Sequence, residues 1–190
     1  MEVTVWEEIK DEKQKYALWL TFHCNALSQS GVSLGEIQEL VISDEMIESA
    51  KEPTIIMQIA MKVSAMLEEG CYEEAYKLIE KVLEQDEVLD LYQKEFLCEK
   101  LFLEILLNGR TEEIEKLYGK ELQTYIKMTQ KTMIARARLL YTYELLYKKD
   151  ELTAASWKQK FEALCNNYPN RGEIRQEQQL MACVQGEKNA

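Results

Sequence analysis

Histidine is nearly absent from this chain, with His23 the single one among 190 residues. That scarcity removes most catalytic constellations. A zinc-protease helix needs two histidines, and a carboxylate-bridged di-iron bundle needs two Glu-x-x-His pairs. His23 stands beside Cys24, but adjacent residues on a helix point about 100° apart, so the two do not face each other. His23 therefore reads as a half-buried structural side chain. Proline occurs twice and glycine seven times, too little for a turn-rich β protein or a disordered one. The longest apolar run, Leu101 to Leu107, is broken by Glu104, whereas a membrane span needs about 20 residues. The opening residues, Met-Glu-Val-Thr-Val-Trp, lack the basic and apolar regions of a signal peptide. The expectation is a soluble, unexported chain of the cytoplasm.

Other chemistry is missing too. The cysteines, Cys24, Cys71, Cys98, Cys165 and Cys183, are odd in number and form no Cys-x-x-Cys. That argues against a disulfide framework or zinc cage and for small buried residues in a reducing compartment. No phosphate-cradling glycine loop and no Gly-x-Ser-x-Gly occurs. The acidic stretch 43–52 lacks the glycine and alternating oxygen ligands of a calcium loop. Paired acids such as Glu73-Glu74 and Glu112-Glu113 sit in first helical turns, where negative charge suits the helix dipole. No metal, cofactor or catalytic residue is expected.

What the chain has is charge of uneven sign. The formal net charge is −11, which disfavours nucleic acid, since phosphate binding needs a basic face. Residues 1–119 carry 11 basic and 26 acidic side chains, a balance of −15. Residues 120–149 carry 7 basic and 2 acidic, a balance of +5. This basic island has two readings. One is a solvated face whose cations pair with neighbouring acids while Tyr141 packs inside. The other is a groove for an acidic peptide or another anion, lined by Tyr125, Lys127, Lys131, Arg136, Arg138, Tyr141 and Tyr143.

It also has a period. Gly31, Gly70 and Gly109 stand 39 residues apart, twice over, and Asp150 follows 41 residues later. Each lies between two apolar helical patterns. Equal spacing of helix–turn–helix units marks an α-helical repeat array. Ile55, Ile59, Val63 and Met66 recur at the spacing of one helix face, behind Pro53 at a first turn. Ala75, Leu78, Ile79, Val82 and Leu83 form the facing stripe. Met57, Met61 and Met66, with Ile55 and Ile56, read as core or as an adaptable surface for a partner helix. The segment 88–107 is apolar on more than one face and belongs between layers. Ser33 and Glu36 match a capping box ahead of a helix that buries Ile37, Leu40 and Val41. Thr111 can cap the next helix, which Gly119 weakens. The units run 8–52, 53–87, 88–129 and 130–169, with a terminal helix at 172–185, all in one domain spanning 1–190.

The stretch 70–84 resembles the second helix of a tetratricopeptide repeat. In that family a glycine opens the turn, an aromatic follows, and a small alanine sits where two helices touch, with a bulky residue four positions on. Here these are Gly70, Tyr72, Ala75 and Ile79. The family's repeat is shorter than the spacing here, and Ile114 follows Gly109 without a small contact residue. The resemblance implies an all-α fold of about four stacked hairpins plus a terminal capping helix. It further implies a non-enzymatic scaffold that binds a protein or peptide on its concave face. A second resemblance rests on Arg138-Leu139-Leu140-Tyr141-Thr142-Tyr143, Asn167-Tyr168-Pro169 and Gly172-Glu173-Ile174. These look like the soluble C-terminal region of bacterial site-2-protease-class membrane zinc peptidases. Their catalytic His-Glu-x-x-His is absent here, so that resemblance implies an accessory domain, cytoplasmic and without catalytic residues of its own.

Overall fold

The computed structural model describes residues 13–32, 41–118 and 128–188, and the regular structure among these is entirely helical. The elements are α1 (Lys13–Ser30), α2 (Asp44–Glu48), α3 (Pro53–Glu68), α4 (Tyr72–Leu83) and α5 (Asp90–Asn108). They continue with α6 (Glu112–Leu117), α7 (Gln130–Tyr143), α8 (Glu151–Asn167) and α9 (Arg171–Lys188), and a π-helical turn, Glu144–Lys148, extends α7.

Local chemistry explains the boundaries. Pro53 opens α3 in its first turn. Thr129 Oγ1 accepts the Thr132 amide at 3.0 Å ahead of α7, and Asp150 Oδ1 accepts the Thr153 amide at 3.0 Å ahead of α8. Gly31, Gly70 and Gly109 take φ of +102°, +74° and +63°, the left-handed conformation that ends a helix without a Cβ clash. The fourth junction differs from the expectation. There the left-handed residue is Lys149, at φ +58°, and Asp150 is already the cap of α8. The turn follows a π-helical end whose closing bond runs from the Asp150 amide to the Glu144 carbonyl.

Packing follows chain order and then returns. α1 lies on α3, α3 on α4, α4 on α5, α5 on α7 and α7 on α8. α9 touches α7 but also α1 and α3, so the last helix closes onto the first. One core runs through Ile56, Ile59, Val63, Ile79, Val82, Phe96, Phe102, Leu139 and Leu140 to Leu180 and Val184. Ala75 is wholly buried where α4 meets its neighbours. At the α9–α1 crossing, a Cβ on Gly172 would stand 1.9 Å from Ser28 Oγ and 2.8 Å from the Ser28 carbonyl oxygen. Only a residue without a side chain permits that approach.

Several sequence expectations need adjustment. Val41 is not buried: it is 69% exposed, in the non-helical lead into α2. The Ser33–Glu36 box, Ile37, Leu40 and Gly119 lie outside the described residues. Thr111 occupies the cap position of α6, but its side chain makes no capping bond. Cys24, Cys98 and Cys165 are buried free thiols, Cys71 is half-buried and Cys183 is exposed. His23 stacks on Trp19 with ring centroids 4.7 Å apart, while Cys24 beside it is buried in another direction. No described helix is long and apolar enough to cross a membrane.

Candidate functional site

The residues expected to line a basic groove do not form a surface. Arg138 is 0% exposed, Arg136 2%, Tyr143 2% and Tyr141 6%. Tyr125 and Lys127 lie outside the described residues. Lys131 alone among the described five keeps part of its side chain open to solvent. The reason is positional. α7 is packed between α5, α8 and α9, so nearly every residue from Thr132 to Leu145 faces a neighbour, including the charged ones.

Each buried cation has found internal partners, as burial demands. Arg138 Nη2 donates to Glu99 Oε1 at 2.6 Å and Oε2 at 2.7 Å, and Nε donates to Glu177 Oε2 at 2.7 Å. Its guanidinium carbon lies 4.0 Å from the centroid of the Phe102 ring. The remaining nitrogen, Nη1, is the one buried side-chain polar atom without a partner among the described residues. The Arg136 guanidinium lies over Trp157 at 4.9 Å. Lys131 Nζ pairs with Glu95 Oε1 at 3.1 Å. Tyr143 donates to Glu115 at 3.1 Å, and Lys148 lies over its ring.

The result is a charged seam. α5 contributes Glu95 and Glu99, α7 contributes Lys131 and Arg138, and α9 contributes Glu173 and Glu177. Four carboxylates meet two cations, so the seam is two positive charges short of neutrality when all are ionised. Burial pushes the Glu95 and Glu177 carboxyls above the ordinary range, against the pull of Lys131 on the first and Arg138 on the second. Burial alone would lower Lys131, but Glu95 and Glu173 outweigh it and hold the ammonium well above its ordinary value. Arg138 is raised in the same way, burial being outweighed by Glu177 and Glu99.

One end of this seam opens into a cleft of about 260 Å³. Its walls come from α1 (Asn25, Ser28), α3 (Met57, Met61, Ser64), α5 (Tyr92, Glu95), the start of α7 (Gln130, Lys131) and the α8–α9 junction (Tyr168, Asn170, Glu173). The junction is fixed by a reciprocal cap. Asn170 Oδ1 accepts the Gly172 amide at 3.0 Å and the Glu173 amide at 3.3 Å, and Asn170 Nδ2 donates back to Glu173 Oε1 at 3.0 Å. Tyr168 donates to the other Glu173 oxygen. Burial, then Glu173, holds the Tyr168 hydroxyl well above the usual phenol range. Arg175 donates to the Ser28 carbonyl at 2.8 Å and Gln176 to the Ser64 carbonyl at 2.9 Å, tying α9 to α1 and α3.

Of the residues expected to line an acid-binding groove only Lys131 lines this cleft, and Glu95, Glu99, Glu173, Glu177, Tyr92 and Asn25 were not named as site residues. A signal existed for two of them. Glu95 and Glu99 lie four residues apart on a helix whose apolar residues cover more than one face, so both had to point inward. Met57 and Met61 were singled out, and both line the cleft, whereas Met66 packs against the core. Arg138-Leu139-Leu140-Tyr141-Thr142-Tyr143 are all buried, and Gly172 and Tyr168 build the junction. Of the residues behind the peptidase resemblance, Arg138 to Tyr143 and Ile174 are buried, while Asn167 and Pro169 are exposed. Among the described residues no cluster of histidine, cysteine and carboxylates is arranged to hold a metal ion. Comparison with protein-family models, curated proteins and solved structures yields no match, so the site stands on its own geometry.

Proposed function

We propose that this chain is a non-enzymatic, peptide- or protein-binding scaffold of the tetratricopeptide-like type, and that its partner is basic rather than acidic. The observation that carries the reading is the internal neutralisation of the basic island. Lys131 and Arg138 are engaged by carboxylates of α5 and α9, and Arg136 is buried against Trp157. The three described cations of the expected groove are therefore spent inside, while the chain as a whole remains at −11. In this reading α9 fills the inner face of the array and turns Glu173 and Glu177 toward its cations, and recognition falls to the acidic outer surface and the cleft. Electrostatic complementarity of that kind speeds encounter and rejects like-charged partners. The alternative is an accessory soluble domain of a membrane zinc peptidase whose catalytic part lies outside this sequence.

Selection from a random peptide-display library against the full chain tests the proposal. The expected outcome is a consensus containing at least one fixed lysine or arginine, with binding that weakens as salt is raised. An acidic consensus, or none, would remove the reading.

A further inference from the structure

We infer that the cleft at the open end of the charged seam is an anchor site for one basic side chain of the partner, a lysine ammonium or an arginine guanidinium. The inference rests on the scaffold reading above and specifies where on the scaffold the charge is read.

Three observations converge on it. Glu95 is 94% removed from solvent, being 6% exposed, yet it lines the cleft. Its Oε1 faces Lys131 at 3.1 Å, and no described residue takes Oε2. Arg138 Nη1 is the one buried side-chain polar atom without a partner among the described residues, so Oε2 is open to the cleft, where a charged donor suits it best. The Tyr92 hydroxyl and the Asn25 amide line the same cleft, and neither has a partner among the described residues. They supply two further hydrogen-bonding groups at a distance from the backbone ladders. Finally, the seam's four carboxylates and two cations leave it two positive charges short of balance, so one added cation lowers the excess and does not overshoot it. An anionic group entering here would meet Glu95 and Glu173 and find Lys131 already shared between them.

Size and lining suit a side chain. About 260 Å³ accommodates an extended lysine or arginine and excludes a folded element. Met57 and Met61 on one wall provide the flexible, polarisable surface that suits a methylene stem. The charged head would then lie between Glu95 Oε2, Tyr92 and Asn25.

The test uses the full chain with ¹³C-methyl-labelled methionine. The probes are N-acetyl-lysine methylamide and N-acetyl-arginine methylamide, with N-acetyl-glutamate methylamide as the opposite-charge control. The expected result is saturable movement of the Met57 and Met61 methyl signals with at least one basic probe and none with the acidic one. Glu95→Gln should weaken that binding by about tenfold to a hundredfold, the range for a hydrogen bond to a charged group. Because Glu95→Gln also strips Lys131 of its partner, Tyr92→Phe and Asn25→Ala serve as milder variants, each expected to weaken binding about threefold to tenfold. No saturable movement, or equal movement with the acidic probe, overturns the assignment. If peptide selection yields a basic consensus while Met57 and Met61 stay still, the cleft is wrong and the scaffold reading stands. If the probes bind and selection yields nothing, the scaffold reading falls and the cleft stands as a site for small cations.

Discussion

The α3–α4 hairpin and the α5–α7–α9 seam are stabilised in opposite ways. In the hairpin, Ile56, Ile59, Val63, Ile79 and Val82 are buried and Ala75 sits at the contact. Its interior is mostly apolar, and its stability comes from removing hydrocarbon from water at about 25 cal/mol per Å². In the seam, Glu95, Glu99, Arg138 and Glu177 are buried, as the core leucines are. Their mutual attraction must first offset several kcal/mol of lost hydration per ion. A dry contact tolerates any side chain of the right size. A charged seam tolerates almost no single change, because each partner removed strands another. The same seam fixes which helices meet, since Arg138 on α7 engages α5 and α9 together.

The largest expected effect tests that difference directly. Arg138→Met should lower the unfolding free energy by about 3–5 kcal/mol, because Glu99 and Glu177 lose their shared cation in the interior. Replacing Arg138, Glu99 and Glu177 together by Met, Leu and Leu should recover most of that loss. Urea denaturation of both variants makes the comparison, and a triple variant as weak as the single one would show that the seam is not an isolated charge problem. Next in size, Ala75→Trp should overpack the α3–α4 contact and cost about 1–3 kcal/mol. A thermal melt that does not move would mean the two helices can separate there at no cost.

Thr129→Ala removes the side-chain acceptor for the Thr132 amide at the start of α7 and should cost about 1 kcal/mol. Circular-dichroism melts read this loss, which should fall well below that of Arg138→Met if the seam and not the cap positions α7. The smallest effect concerns pH. Glu95 and Glu177 are held above the ordinary glutamate value of 4.5, so the fold retains protons that the unfolded chain has released. Their contribution is complete below 4.5 and is lost as pH rises through the elevated values. Asp150 works the other way. Bonds from Thr153 hold it below 3.8, so its contribution is present above that value and lost as pH falls through the lowered one. Melting temperature should therefore rise as pH is lowered from neutrality toward 5, and a fall over that window would contradict the buried seam.

The hairpins were legible because their signals are local. Gly70 and Gly109 mark turns that need a left-handed residue, Pro53 marks a first turn, and the apolar stripe from Ala75 to Val82 repeats at helical spacing. The fourth turn was read one residue late, because lysine at a left-handed position leaves no mark in composition and the acidic cap beside it does. The candidate site was far less legible. A charge count showed that residues 120–149 are basic, but exposure is not written in a charge count. Arg136 and Arg138 look like surface residues until Trp157 of α8 covers the first and Glu177 of α9 engages the second.

By itself the sequence determined that the chain is helical, where most helices begin and end, and which apolar faces must be covered, since capping, turn conformation and periodicity act within a few residues. Tertiary structure alone decided that the last helix closes onto the first, that the basic residues face inward, and that one carboxylate oxygen is left open in a cleft. Those outcomes depend on which helices touch, and the energy of a buried charge is set by neighbours far away in the chain.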